Sequence, residues 1–173
     1  IKTIFLDRDG VINKEVNYLF KIEDFQFIEG IFEACLYLQK LNYEIIIVSN
    51  QSGISRGIYS EKDYQNLTNW MIKKFSLNGI EFLDIIHCPH SPSENCNCRK
   101  PKPGMFLKAD KFHNIDFKKS WMIGDKEIDI LAANAAGIFN TILVRSGHPI
   151  NEESSNSLFI LDSIKESMSV IVN

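Results

Sequence analysis

The chain has 173 residues, 45% of them hydrophobic and 24% charged, which suits one compact domain with a full core. A net charge of −3 without any basic run argues against nucleic acid as a partner. No apolar run approaches the ~20 residues of a membrane span, and no signal peptide is read ahead of the first strand. Three of the four cysteines fall within eleven residues beside a histidine, a pattern of metal binding in a reducing compartment rather than of a disulfide framework. The expected address is the cytoplasm and the expected state a monomer.

Strand and helix signals alternate along the whole length, which predicts an α/β fold: a Rossmann-like, doubly wound, mainly parallel sheet with helices on both faces. Lys2–Leu6 reads as the first strand. After Glu29-Gly30 a helix carries Ile31, Cys35, Leu38 and Leu41 on one side. Glu44–Val48 is nearly pure β-branched residues, as in a buried central strand. Ser60-Glu61-Lys62-Asp63 resembles a capping box with Asp in place of Glu. It opens a helix with Tyr64, Leu67, Met71 and Phe75 on one face, closed by Asn78-Gly79. Phe82–His87 is the next strand and leads into the cysteine cluster. Pro103 begins a helix with Met105, Ala109 and Phe112. Trp121–Ile123 is a short strand, and Ile128, Leu131, Ala132 and Ala135 mark the helix after it, closed by Gly137. Asn140–Val144 and Leu158–Leu161 supply two more strands around a polar loop at Gly147–Ser157, and Asp162 or Ser163 caps a final helix. With neither repeat nor second core, residues 1–173 are expected to form a single domain.

Four strand ends carry polar groups that could do chemistry. Ile4–Leu6 runs into Asp7-Arg8-Asp9-Gly10, two carboxylates spaced i, i+2 and delivered to the carboxyl edge of the sheet. The same octapeptide also describes a strand followed by a solvated Asp-Gly turn. Glu44–Val48 ends in Ser49-Asn50-Gln51-Ser52-Gly53, a phosphate cradle or an ordinary loop. Arg99-Lys100-Pro101-Lys102-Pro103 holds three cations between stiffening prolines, or is simply a solvated basic turn. Trp121–Gly124 ends in Asp125, with Lys126 beside it and Asp129 one helical turn on. A single acid there is commonly a helix cap.

Cys88-Pro89-His90 and Cys96-Asn97-Cys98 offer four soft or borderline ligands, which suit tetrahedral Zn²⁺. A Cys96–Cys98 disulfide is the competing reading, strained by so short a loop. With all four positions filled by protein, the ion would be structural and would stiffen the loop that carries Arg99 and Lys100.

Taken together, acid-x-acid, hydroxyl, lysine and acid at four successive strand ends resemble the haloacid dehalogenase superfamily of phosphotransferases. Its four motifs fall on Asp7 and Asp9, on Ser49, on Lys100 (preferred over Lys102 because it precedes Pro-x-Pro), and on Asp125. The resemblance implies Mg²⁺ held by Asp7, Asp125 and the backbone carbonyl of Asp9, and Asp7 as the nucleophile that becomes phosphorylated. It implies Asp9 as the acid and base, with Ser49 and Lys100 on the phosphoryl oxygens. The runs SNQSGISRG, CPH…CNCRKPKPGM and GDKEIDI further resemble the heptose-bisphosphate phosphatase branch, with histidinol-phosphate phosphatases as the nearest alternative. That branch acts on a small phosphorylated sugar. Its substrate contacts map to Glu15, Val16, Asn17 and Tyr18, to Asn50, Gln51 and Ser52, and to Arg99 and Lys126. The motif intervals leave no length for a large cap domain.

Several residues read as structural. Cys35 belongs to the core, Trp70 and Trp121 to packing, and His87 stands beside the zinc loop without joining it. His113 and His148 read as surface residues without partners. Asp129 reads as a partner of Lys126, a support for the metal shell, or a solvated helix acid.

Overall fold

Strand alternation sets the layering of the molecule, whose computed structural model describes residues 1–173. In β1 (Thr3–Leu6), Ile4 and Leu6 enter one core while Phe5 enters the other. In β2 (Glu44–Asn50), Ile45 and Ile47 part from Ile46 and Val48 in the same way. Strands buried on both faces need cover on both sides. One face is covered by α1 (Ile31–Lys40), α2 (Glu61–Leu77) and the short α5 (Ser167–Val170). On the other lie α3 (Gly104–His113) and α4 (Glu127–Ala136). There Phe5 packs on Phe106 with ring centroids 4.9 Å apart. Truncating either ring costs about 3–5 kcal/mol by the usual yield of buried aromatics.

The remaining strands are β3 (Asp84–Cys88), β4 (Trp121–Gly124), β5 (Asn140–Val144) and β6 (Phe159–Leu161). All pairings are parallel, in the order β3-β2-β1-β4-β5-β6. The chain winds outward from β1 to β3 and then returns to the far side of β1 as β4. Phe5 is thus in register with Ile46 on one flank and Met122 on the other. Where the winding reverses, loops leave β1 and β4 in opposite directions and open a crevice at their carboxyl ends. No further domain covers that crevice.

Local signals account for most boundaries. Ser60 caps α2 as its sequence suggests: its Oγ accepts from the Asp63 N–H at 3.0 Å, and its own N–H donates to Asp63 Oδ2 at 2.9 Å. β2 runs two residues past Val48, because Ser49 and Asn50 still pair with His87 and Cys88. β3 begins at Asp84 rather than Phe82. The buried side of α4 is Asp129, Ile130, Ala132 and Ala133, whereas Leu131 and Ala135 face solvent. Two adjacent alanines let this helix lie close to the sheet, and that rotation carries Asp129 inward. In α3, Met105 and Ala109 are buried but Phe112 is exposed. The last helix is only a 3-10 turn capped by Ser163, followed by one turn of α5. Cys35 is in the core, and Trp70 and Trp121 stack on Phe27 and Phe159.

Candidate active site

Every strand end singled out in the sequence arrives at this crevice. Asp7 follows β1 and is tied to β4 by its N–H on Ile123 O at 3.1 Å. Asp125 follows β4 and is fully buried. The loop after β3 brings in Lys100, which is only 1% exposed. Its Nζ donates to Val48 O at 2.8 Å and forms ion pairs with Asp129 Oδ1 at 2.6 Å and Asp7 Oδ1 at 3.1 Å. Asn50 fixes the main chain of Lys100 from both sides, accepting from its N–H at 3.0 Å and donating to its carbonyl at 3.1 Å. The Asn50 amide, expected to touch substrate, thus orients the lysine.

Asp9 belongs to a second group of contacts. Arg8 reaches both its oxygens at 3.1–3.3 Å, Asn13 Nδ2 donates at 3.0 Å, and Gln51 Nε2 at 3.3 Å. Gln51 Nε2 also donates to Ser49 Oγ at 2.6 Å, which leaves the serine's own hydrogen free. Gln51 Oε1 accepts from Tyr59 Oη, whose ring stacks on Phe20. Burial pushes the Tyr59 hydroxyl up to about 12, so it stays a donor at neutral pH. Gly53 is required here, since a Cβ would fall 2.1 Å from the Tyr59 ring.

The crevice opens into a cleft of about 230 Å³. Glu15, Val16, Asn17 and Tyr18 line one wall, Asn50, Gln51 and Ser52 another, and Arg99 and Lys126 the rim. Ser49 and Asp125 lie below its floor, at the ends of β2 and β4. Arg99 is braced by Nη1 on the His90 carbonyl at 3.3 Å, which links the rim to the cysteine loop.

The electrostatics ask for a cation. At the buried floor the carboxylates of Asp7, Asp125 and Asp129 share one buried cation, Lys100, since Arg8 is paired with Asp9 and the other cations lining the cleft, Arg56, Arg99 and Lys126, are less buried. Burial holds the Asp7 carboxyl well above the ordinary carboxylate range. Lys100 pulls it back, while Asp129, Asp125 and Asp9 add to the rise. Burial alone would depress Lys100, but Asp129 and Asp7 drive it upward, so it is a fixed cation. The Asp7, Asp125 and Asp129 oxygens lie within 4.8 Å of one another, and the buried Asp125 Oδ1 has no hydrogen-bond partner. An unpartnered buried carboxylate oxygen in an excess of negative charge fits a hard divalent cation. The cradle admits nothing bulky: a Cβ on Gly10 or Gly147 would come 2.3 or 2.1 Å from Asp125 Oδ2.

Cys88, His90, Cys96 and Cys98 converge in the same manner. Cys88 Sγ lies 2.9 Å from Cys98 Sγ and 3.6 Å from Cys96 Sγ, and His90 Nδ1 is 3.3 Å from Cys98 Sγ. None of the cysteines is bridged, so the disulfide alternative is not formed. Four such atoms within 4.8 Å could hold Zn²⁺, whose sulfur bonds of ~2.3 Å need a slightly wider cage. His87 stays apart, pairing with Glu61 at 2.8 Å and packing against the Tyr64 ring with centroids 4.0 Å apart.

Three expectations need correction. Asp129 is buried as a partner of Lys100 rather than solvated, and it meets Lys126 only through that residue's backbone N–H at 3.0 Å. His113 is paired with Asp84 at 2.9 Å. His148 lines the cleft and bonds Asp125. Arg56 and Tyr59 also line the cleft. They follow Ser49 within eleven residues in the SNQSGISRGIY run, and that proximity was the available signal.

A carboxylate cluster built around a fixed lysine, at the switch point of a parallel sheet, is suited to phosphoryl transfer. Residues 97–167 match the family model for HAD-hydrolase-like proteins. Over 171 residues the chain is 50% identical to the D-glycero-beta-D-manno-heptose-1,7-bisphosphate 7-phosphatase of Vibrio cholerae, covering 94% of this chain and 92% of that one. It is 49% identical to the corresponding alpha-anomer phosphatase of Photorhabdus laumondii, covering 96% and 97%. Among solved structures, the D,D-heptose 1,7-bisphosphate phosphatase of B. bronchiseptica, crystallised with magnesium and phosphate, superposes with a TM-score of 0.85. Its identity is 26%, over 98% of this chain and 97% of that one. The chain belongs to the haloacid dehalogenase superfamily, in its family of heptose-1,7-bisphosphate 7-phosphatases, and is a phosphoric monoester hydrolase.

Proposed function

We propose that this enzyme removes the 7-phosphate of D-glycero-D-manno-heptose 1,7-bisphosphate, in the synthesis of activated heptose for lipopolysaccharide or a related surface glycan. The observation that carries the reading is Lys100, sealed between Asp7 and Asp129 beneath a cleft sized for a sugar phosphate. Relatives of half-identical sequence over nearly the full length support the substrate class.

Mg²⁺ bound by Asp7, Asp125 and the Asp9 carbonyl would neutralise the phosphoryl dianion and keep Asp7 ionised against its burial. Asp7 attacks phosphorus in line, and the phosphoryl group moves to its carboxylate as the ester bond breaks. Ser49 donates its free hydrogen to a non-bridging oxygen. Lys100 supplies the fixed positive charge beside it. Asp9 enters this step in its acid form and gives that proton to the departing sugar oxygen, leaving a carboxylate that Arg8, Asn13 and Gln51 hold. It then takes one from the water that hydrolyses the aspartyl-phosphate. Arg99, Lys126 and the Glu15–Tyr18 wall receive the rest of the sugar, with the second phosphate on a rim cation.

Zn²⁺ on Cys88, His90, Cys96 and Cys98 would stiffen the loop that sets Arg99 and Lys100. Thiols that must remain reduced for that purpose favour the cytoplasm. The small cleft needs no second subunit to complete it, in keeping with a monomer. The test is side-by-side kcat/KM on both anomers of the heptose bisphosphate and on histidinol phosphate, with and without EDTA. A preference for the heptose ester, lost with Mg²⁺ and with zinc content unchanged, is expected. Preference for histidinol phosphate would overturn the assignment.

A further inference from the structure

His148 lies on the loop after β5, outside the four strand ends of the phosphoryl site, yet it reaches Asp125 twice. Its backbone N–H donates to Asp125 Oδ2 at 3.0 Å, and its Nδ1 stands 2.6 Å from the same oxygen. A carboxylate accepts, so Nδ1 carries the hydrogen. The other carboxylate oxygen, Oδ1, is buried and has no hydrogen-bond partner. The loop is docked around this contact. Gly147 leaves no room for a Cβ against Asp125, and Ser146 Oγ donates to the Gly10 carbonyl at 2.6 Å. On the far side of the ring Nε2 lies 3.6 Å from Glu15 Oε1, beyond hydrogen-bond reach. At one-third exposed, the ring is not a core element.

We propose that His148 is a positioning residue. It pins one oxygen of Asp125 to the β5 loop so that the other is presented to the cation. Dividing the work between the two oxygens is what a second-sphere histidine can do for a carboxylate ligand. The contact explains why a loop remote in sequence closes on the metal side of the cleft.

This inference rests on the Mg²⁺ reading above. The test is calorimetric titration of Mg²⁺ into the zinc-loaded protein as wild type, His148→Ala, His148→Asn and Asp125→Asn. The Asn amide can stand where Nδ1 stands, whereas Ala keeps only the backbone contact. His148→Ala is expected to weaken Mg²⁺ about 10- to 100-fold. His148→Asn should stay within about threefold of wild type, less than the worth of one hydrogen bond. Equal binding by wild type and His148→Ala would overturn the inference, as would a His148→Asn variant as weak as His148→Ala. Wild-type protein that binds no Mg²⁺ would instead overturn the metal reading itself, and this inference with it.

Discussion

Replacing Lys100 by Met keeps most of the side chain's volume while removing the charge that holds the centre together, so the cavity contribution is small. What remains is two buried carboxylates, Asp7 and Asp129, that have lost a cation at 3.1 and 2.6 Å. Breaking a buried pair by deleting one partner costs about 3–5 kcal/mol. A domain of ordinary stability, about 5–15 kcal/mol, survives that loss and stays folded. The deficit should depend on pH. Burial already raises the Asp7 carboxyl well above its ordinary 3.8, and Lys100 is the neighbour that opposes the rise. Without the lysine the folded-state value climbs further. The folded protein then binds a proton over a range where the unfolded chain does not, so stability increases as pH falls through that raised value. Urea unfolding of zinc-loaded, Mg²⁺-free protein at pH 7.5 and pH 5 measures this directly. A deficit below about 1 kcal/mol at pH 7.5, typical of exposed pairs, would refute the reasoning. So would a deficit that is the same at both pH values.

Asp7→Asn should abolish turnover and the acid-stable phosphoenzyme seen on quenching with labelled substrate, while the fold persists. Cys96→Ser should lower bound zinc, measured by elemental analysis, and activity should fall with it as the Arg99–Lys100 loop loosens. Gly147→Ala should cost at least about tenfold in Mg²⁺ affinity, because its Cβ would meet Asp125 Oδ2 at 2.1 Å and the loop must lift. Asn50→Ala should lower kcat more than it raises KM, because the amide holds the Lys100 main chain and not the sugar.

The parallel sheet was legible because each strand is short, apolar and followed by its own polar end. The alternation of Ile4, Phe5 and Leu6 between two cores is a local property that sequence carries. The same holds for Cys88, His90, Cys96 and Cys98, whose ligand spacing is local. Asp129 was ambiguous because an acid at that point of a helix looks like a cap. Only the rotation of α4, set by Ala132 and Ala133 against the sheet, turns it onto Lys100. Leu131 and Phe112 misled for the matching reason, being apolar residues whose helices present another face. His148 was invisible because its partner lies 23 positions away and meets it only after β4 and β5 pair. Asn50 lines the cleft, but its use of both amide atoms on Lys100 is a tertiary fact.

Which phosphate leaves is the central claim, and ³¹P NMR of the heptose 1,7-bisphosphate during turnover reads it without a coupled assay. Loss of the phosphomonoester signal at carbon 7, with the anomeric phosphate retained and no change with Asp7→Asn, is the expected result. Release of the anomeric phosphate, or turnover by Asp7→Asn at the wild-type rate, would contradict it.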